Sequence, residues 1–169
     1  MRSTLNFNSH WQFTKPGAAP VAVTLPHTWN AADGTDGGND YFRGTCTYTK
    51  EFAAPAHADD EEVWLEFEGA AMTAVVTLND QELIRHAGGY STFRVNLTPA
   101  LVAQNTLTVT VDNSANRTVY PQKADFTFYG GIYRDVHILI VPHSHFALGN
   151  HGAPALRVTP EVSDDLHSA

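Results

Sequence analysis

A chain of 169 residues suits one domain, with room for little more than the stub of a second. Its hydrophobic content of 43% against 17% charged residues fits a globular protein with a well-buried core. A formal charge of −8 with no basic cluster to offset it argues against nucleic acid or an anionic membrane as a partner. A neutral sugar suits that charge, a polyanionic glycan less.

The start, MRSTLNFNSHWQF, lacks the long apolar stretch of a signal peptide, and no later segment is apolar enough to span a bilayer; both fit a cytoplasmic protein. From Leu25 to Gly44 runs a long, polar, glycine-rich loop (LPHTWNAADGTDGGNDYFRG) with Trp29, Tyr41 and Phe42 embedded in it. Long irregular loops in compact domains are often functional. Rings beside Asn39 and Asp40 suit a sugar, whose C–H faces stack on aromatics while its hydroxyls need fixed donors and acceptors. The structural alternative has Trp29 pinning the loop to the domain and Arg43 making an ion pair. That alternative is preferred for both residues.

Short strand-like runs then follow one another. Thr45–Phe52 alternates, with Cys46 read as a small core hydrophobe; a lone cysteine permits no intrachain disulfide. Glu62–Glu68 places Val63, Leu65 and Phe67 on one face and the glutamates with Trp64 on the other. Val75–Leu78, a turn at Asn79-Asp80 and Glu82–His86 read as a hairpin. Tyr90–Leu97 follows Gly88-Gly89. Thr98-Pro-Ala-Leu-Val-Ala-Gln104 reads as a single helical turn with Thr98 as N-cap. Thr106–Val111 (TLTVTV) is the most regular strand signal. In Asp125-Phe-Thr-Phe-Tyr-Gly-Gly131 a carboxylate precedes an aromatic turn with two glycines, and Ile132–Val141 continues as a strand. His143–Pro154 is a loop or linker, and Leu156–Val162 a fresh strand. Many short strands without helices predict an all-β fold, a sandwich or barrel and most simply a jelly roll.

No residue pattern here displays chemistry. His143, His145 and His151 lack the tight pairings of a zinc site, and no metal ligands are expected. Asp33, Asp36, Asp40, Asp125 and Asp135 cannot be paired from sequence into the two carboxylates of a glycosidase. Taken alone, Asp125 reads as a turn-stabilising carboxylate.

Several segments in order carry a resemblance: Leu25-Pro-His-Thr-Trp-Asn30, Tyr41-Phe-Arg-Gly44, Phe67-Glu-Gly69, Val76-Thr-Leu-Asn79, His86-Ala-Gly-Gly-Tyr-Ser-Thr-Phe93, Val111-Asp-Asn113 and Asp125–Val136. Together they resemble the N-terminal domain of glycoside hydrolase family 2, and DGGNDYFRG and GGYSTF are similar to bacterial β-galactosidases more than to β-glucuronidases. The resemblance implies a galactose-binding-like jelly-roll sandwich over residues 1–142, a linker over 143–154, and the start of an immunoglobulin-like domain over 155–169. It implies a parent enzyme that is a retaining exo-β-galactosidase and a homo-oligomer, with sodium and magnesium as its ions. Both catalytic glutamates of the family lie in a (β/α)₈ barrel of about 250 residues, which this chain cannot hold. No catalytic residue is therefore expected here, and no cofactor. By the same resemblance Asp125 hydrogen-bonds the non-reducing sugar at the rim of the barrel's pocket, in some members partly through sodium, with Asn39 and Asp40 nearby. Substrate would be held jointly with the barrel. A β-glucuronidase domain, an independent carbohydrate-binding module and a pure scaffold are the alternatives, and Tyr133, Arg134 and Asp135 read as structural.

Overall fold

A computed structural model describes residues 2–31, 41–120, 127–149, 152–153, 155–162 and 164. Ten strands follow one another: β1 (Ser3–Asn6), β2 (Trp11–Thr14), β3 (Val21–Val23), β4 (Thr45–Ala53), β5 (Glu61–Phe67), β6 (Thr73–Leu78), β7 (Gln81–Ala87), β8 (Phe93–Asn96), β9 (Gln104–Asp112) and β10 (Val136–Pro142). They form a four-stranded sheet in the order β1-β10-β5-β8 and a six-stranded sheet in the order β3-β2-β4-β9-β6-β7. Every pairing is antiparallel. No α-helix occurs among the described residues. This is the expected all-β jelly-roll sandwich.

Period-two patterning explains the two layers. Leu107, Val109 and Val111 of β9 point inward, as do Val63, Leu65 and Phe67 of β5, and all six are fully buried. Ala74, Val76 and Leu78 of β6 and Val136, Ile138 and Ile140 of β10 complete the inner faces. Each large apolar side chain shut into this layer contributes about 1.5–3 kcal/mol. Cys46 is buried among them, and burial pushes its thiol up to about 11, as befits a core hydrophobe.

Lys50 breaks the pattern at an inward position of β4. Its Nζ donates to the carbonyls of Phe7 (3.1 Å) and Ser9 (2.6 Å) and lies 3.8 Å from the Phe7 ring centroid. Burial lowers its pKa to about 8, while the carbonyls and ring face favour the ammonium. The lysine thus seals the N-terminal segment onto β4.

The Asn79-Asp80 turn is as expected: both residues have positive φ, 49° and 65°, the signature of a two-residue hairpin loop. Three expectations shift. Thr98 belongs to a short 3₁₀ turn (Thr98–Ala100) capped at Leu97 instead, and its hydroxyl accepts the Val63 amide at 2.8 Å. That strand-edge amide outcompetes the cap. β10 begins at Val136 rather than Ile132, because residues 131–135 first cross the end of the sandwich. There the amide of Gly131 meets the carbonyl of Ala71, and the Ile132 carbonyl accepts the His27 amide at 2.8 Å. Residues 156–162 join no sheet, and Leu156, Val158 and Val162 are exposed. A strand there would need a partner outside this sandwich.

The segment after β10 folds back across the four-stranded sheet. The Leu148 carbonyl accepts from Arg94, and His145 packs edge-on to Trp64. His143 and His145 do not converge: His143 faces Glu62 at 3.6 Å, and His145 Nδ1 contacts the Pro142 carbonyl. His151 lies outside the described residues.

Candidate functional site

At one end of the sandwich, four chain segments meet on two buried asparagines. Asn113 continues the inward parity of Leu107, Val109 and Val111, so a polar side chain occupies a core position and must find partners. Its Nδ2 donates to the Phe128 carbonyl (2.9 Å) and to Asn30 Oδ1 (3.2 Å), and its Oδ1 accepts the Gly44 amide (2.9 Å). Asn30 Oδ1 also accepts the Gly130 amide at 2.7 Å, and its Nδ2 donates to the Phe42 carbonyl at 2.8 Å. The Thr28 hydroxyl donates to the Gly130 carbonyl at 2.8 Å. Residues 28–30, 42–44, 113 and 128–130 are thereby locked together.

The paired glycines are explained by close approach. A methyl on Gly130 would lie within the Trp29 indole and only 2.7 Å from Asn113 Nδ2. Gly131 has φ +128°, and a Cβ there would collide with the His27 carbonyl. Trp29 does pin its loop: it is buried, stacks on Phe13 at 5.9 Å and donates Nε1 to the Phe42 carbonyl. Among the described residues, Arg43 Nε donates to the Asn113 carbonyl at 2.8 Å, its guanidinium covers the Phe128 ring at 5.1 Å, and its charge acts on Asp112.

Beside this hub lies a cleft of about 410 Å³ lined by Thr28, Ala71, Tyr90, Thr127, Tyr129 and Tyr133. Tyr90 and Tyr129 are each about half exposed, at 48% and 49%. Tyr133 is fixed by a 2.6 Å bond from its hydroxyl to the Gly89 carbonyl, and Arg134 donates to the carbonyls of Glu68 and Tyr90. Both make the structural contacts expected of them, and Asp135 Oδ1 accepts from Asn8 at 2.9 Å. An apolar cleft with phenol rims can take the C–H face of a sugar or a flat aromatic group.

Burial dominates the electrostatics. It lowers the pKa of His27, whose ring bonds the Tyr48 hydroxyl at 2.8 Å, and raises the phenols of Tyr48 and Tyr133. Burial also works to raise Asp112, but hydrogen bonds from Ser114 and Thr45 and the charge of Arg43 outweigh it and hold the carboxyl low. Among the described residues the hub is held by amide, hydroxyl and carbonyl groups, which carry no charge.

Asp125, Asn39 and Asp40 lie outside the described residues. What the structure brings together is the roots of their two loops: Asn30 and Phe42 flank one, Thr127 and Phe128 the other, and Asn113 bonds both sides. Asn30 and Asn113 carry this arrangement and Tyr90 lines the cleft beside it, yet the sequence places them only as members of the resembling segments. The available signal was parity, since Asn113 falls at an inward position of the most regular strand.

Comparison with known proteins gives one answer. The family described as glycosyl hydrolase 2 galactose-binding domain-like matches residues 39–158. A β-glucuronidase of Bacteroides fragilis is 32% identical over 166 residues, covering 95% of this chain and 24% of that protein. A β-galactosidase of Thermoanaerobacter pseudethanolicus is 26% identical, over 85% of this chain and 22% of that protein. The crystal structure of an FMN-binding β-glucuronidase from Facaelibacterium prausnitzii L2-6 superposes with a TM-score of 0.87 at 40% identity, covering 98% of this chain and 26% of that one. The chain thus spans about a quarter of the length of these relatives. Their names run more to β-glucuronidase than to β-galactosidase, against the expectation drawn from DGGNDYFRG and GGYSTF. Sandwich, motif order and relatives agree: the chain belongs to the family described as glycosyl hydrolase 2 galactose-binding domain-like.

Proposed function

We propose that this domain completes the substrate pocket of a retaining exo-glycosidase, and that the parent enzyme is a β-glucuronidase. The observation that carries the pocket role is the hub. Two buried asparagines and two close-packed glycines hold the turn after Asp125 rigidly at one end of the sandwich, beside a tyrosine-lined cleft. Such rigidity is what a rim residue needs to meet a substrate held mainly by another domain. In this reading the catalytic carboxylates come from the parent's barrel, and the Asp125 carboxylate accepts from sugar hydroxyls. Charge-assisted bonds of that kind contribute about 1.5–3 kcal/mol each. Asn39 and Asp40 would complete the rim from the neighbouring loop.

The glucuronidase choice rests on the balance of relatives. β-Galactosidase is the second reading, favoured by the Thermoanaerobacter relative and by a strongly acidic chain, which suits a neutral sugar better. An independent sugar-binding module is less favoured, because Trp11 and Trp29 are buried and Trp64 donates to Glu62 under His145.

The test is Asp125→Ala in the complete enzyme, assayed on aryl β-glucuronide and aryl β-galactoside. The expected loss in kcat/KM is roughly tenfold or more, about 1.4 kcal/mol of transition-state binding. Unchanged kinetics on both substrates would overturn the rim role. The wild-type preference between the two substrates decides the sugar.

A further inference from the structure

Away from the hub, on the outer face of the four-stranded sheet, three ligand-bearing side chains converge. Glu68 directly follows β5, Asp135 directly precedes β10, and His137 is the second residue of β10. The Glu68 amide donates to the Asp135 carbonyl at 3.1 Å, and the register pairs Val136 with Phe67. Alternation sends Val136 and Phe67 into the core, so Asp135, His137 and Glu68 share the opposite face. One ligand atom from each lies within 4.8 Å of the others.

His137 Nδ1 is the telling atom. It is shut off from solvent and has no hydrogen-bond partner, the one such side-chain atom among the described residues. Its ionic neighbour, Glu68 Oε1, is 3.8 Å away, beyond hydrogen-bond reach. A buried ring nitrogen left without a partner in a native protein calls for one. Two ligands held tetrahedrally at about 2.0–2.2 Å from a common dication stand roughly 3.3–3.6 Å apart, so this gap needs to close by only a few tenths of an ångström. Asp135 is already oriented for such a role. Asn8 Nδ2 holds its Oδ1 at 2.9 Å while Asn8 Oδ1 accepts the Val136 amide at 2.8 Å, an outer support that leaves the second carboxylate oxygen available. The neighbouring Glu66 is taken up by its ion pair with Arg94.

We propose that Glu68, Asp135 and His137 bind one zinc-class divalent cation on the outer face of the sandwich. One imidazole and two carboxylates suit a borderline dication better than calcium, which takes six to eight oxygens. Glu68 is partly exposed, so water can fill the remaining positions. A cation there would clip the end of β5 to the start of β10 and, through Asn8, to the N-terminal segment.

The test titrates the metal-free chain with zinc chloride by calorimetry and by NMR of the histidine rings. Binding of one zinc per chain is expected, with the His137 ring resonances moving and the melting temperature rising. Glu68→Gln, at a side chain that makes no hydrogen bond among the described residues, should weaken binding by roughly tenfold or more without unfolding the chain. His145→Gln should leave it unchanged. The proposal is overturned if His137 stays silent while zinc binds, if Glu68→Gln binds as tightly as wild type, or if His145→Gln abolishes binding. Binding of calcium at these residues without zinc would overturn the zinc-class assignment.

Discussion

Replacing Asn113 by Ala removes the centre of the hub and breaks identifiable hydrogen bonds. The Gly44 amide loses its Asn113 acceptor and the Phe128 carbonyl its Asn113 donor. The other two partners keep bonds: Asn30 Oδ1 retains the Gly130 amide, and the Phe42 carbonyl retains Asn30 Nδ2. An unmatched, part-buried Gly44 amide at about 1–3 kcal/mol and one lost hydrogen bond to Phe128 at about 0.5–1.5 kcal/mol give a loss of about 1.5–4.5 kcal/mol, the lower end applying when water enters the vacated space. With a urea m-value of about 2 kcal/mol per molar, the midpoint should fall by roughly 1–2 M at unchanged m. Asn113→Asp sharpens the test. A carboxylate still accepts from Gly44 but cannot donate to Phe128, and it places a charge at a fully buried position. Its folded pKa is therefore raised, so the folded state gains stability at acid pH, where the protonated carboxyl can donate to Phe128. The deficit against wild type should shrink as pH falls and grow as pH rises through that raised pKa. A loss under about 1 kcal/mol for Asn113→Ala, or a pH-independent deficit for Asn113→Asp, would refute the accounting.

Two further outcomes follow from the same end of the molecule. Gly130→Ala forces a methyl into Trp29 and should cost about 1–3 kcal/mol or more, read as a melting temperature lower by several degrees with altered tryptophan fluorescence; an unchanged melt would deny the close approach. His27 is buried with a lowered pKa, so the unfolded chain takes up its proton first. The stability this contributes is fully present above the ordinary value of 6.5 and is lost as pH falls from there through the folded value. Urea midpoints between pH 7.5 and 5 should show that decline, and His27→Gln should remove this component of it.

The architecture was legible wherever alternation was long enough to declare itself. TLTVTV, EVWLEF and the Asn79-Asp80 hairpin translate directly into β9, β5 and β6–β7, because one buried face leaves only one register. β1, β2 and β3 passed unread. They are three or four residues long: every residue of β1 is exposed, and β2 alternates at Trp11 and Phe13 over too few residues to declare itself. Lys50 was equally opaque, since its partners are backbone carbonyls that no composition reveals. The site was legible only at its margins. The glycine pair announced a close approach, but its targets, Trp29 and His27, lie about a hundred residues earlier. Asp135 and His137 share a face by parity, whereas Glu68 joins them only once β5 and β10 are in register.

The hub also sets an order of events during folding. Asn113 draws its partners from positions 69 residues earlier, 83 residues earlier and 15 residues later, across segments that meet only after both sheets have closed. Contacts of such sequence separation form late, so hub interactions should be largely absent from the folding transition state. Weakening them then speeds unfolding and leaves the folding rate nearly untouched. The end of the sandwich that presents the turn would be the last part to assemble and the first to loosen, while the layered core beneath it persists.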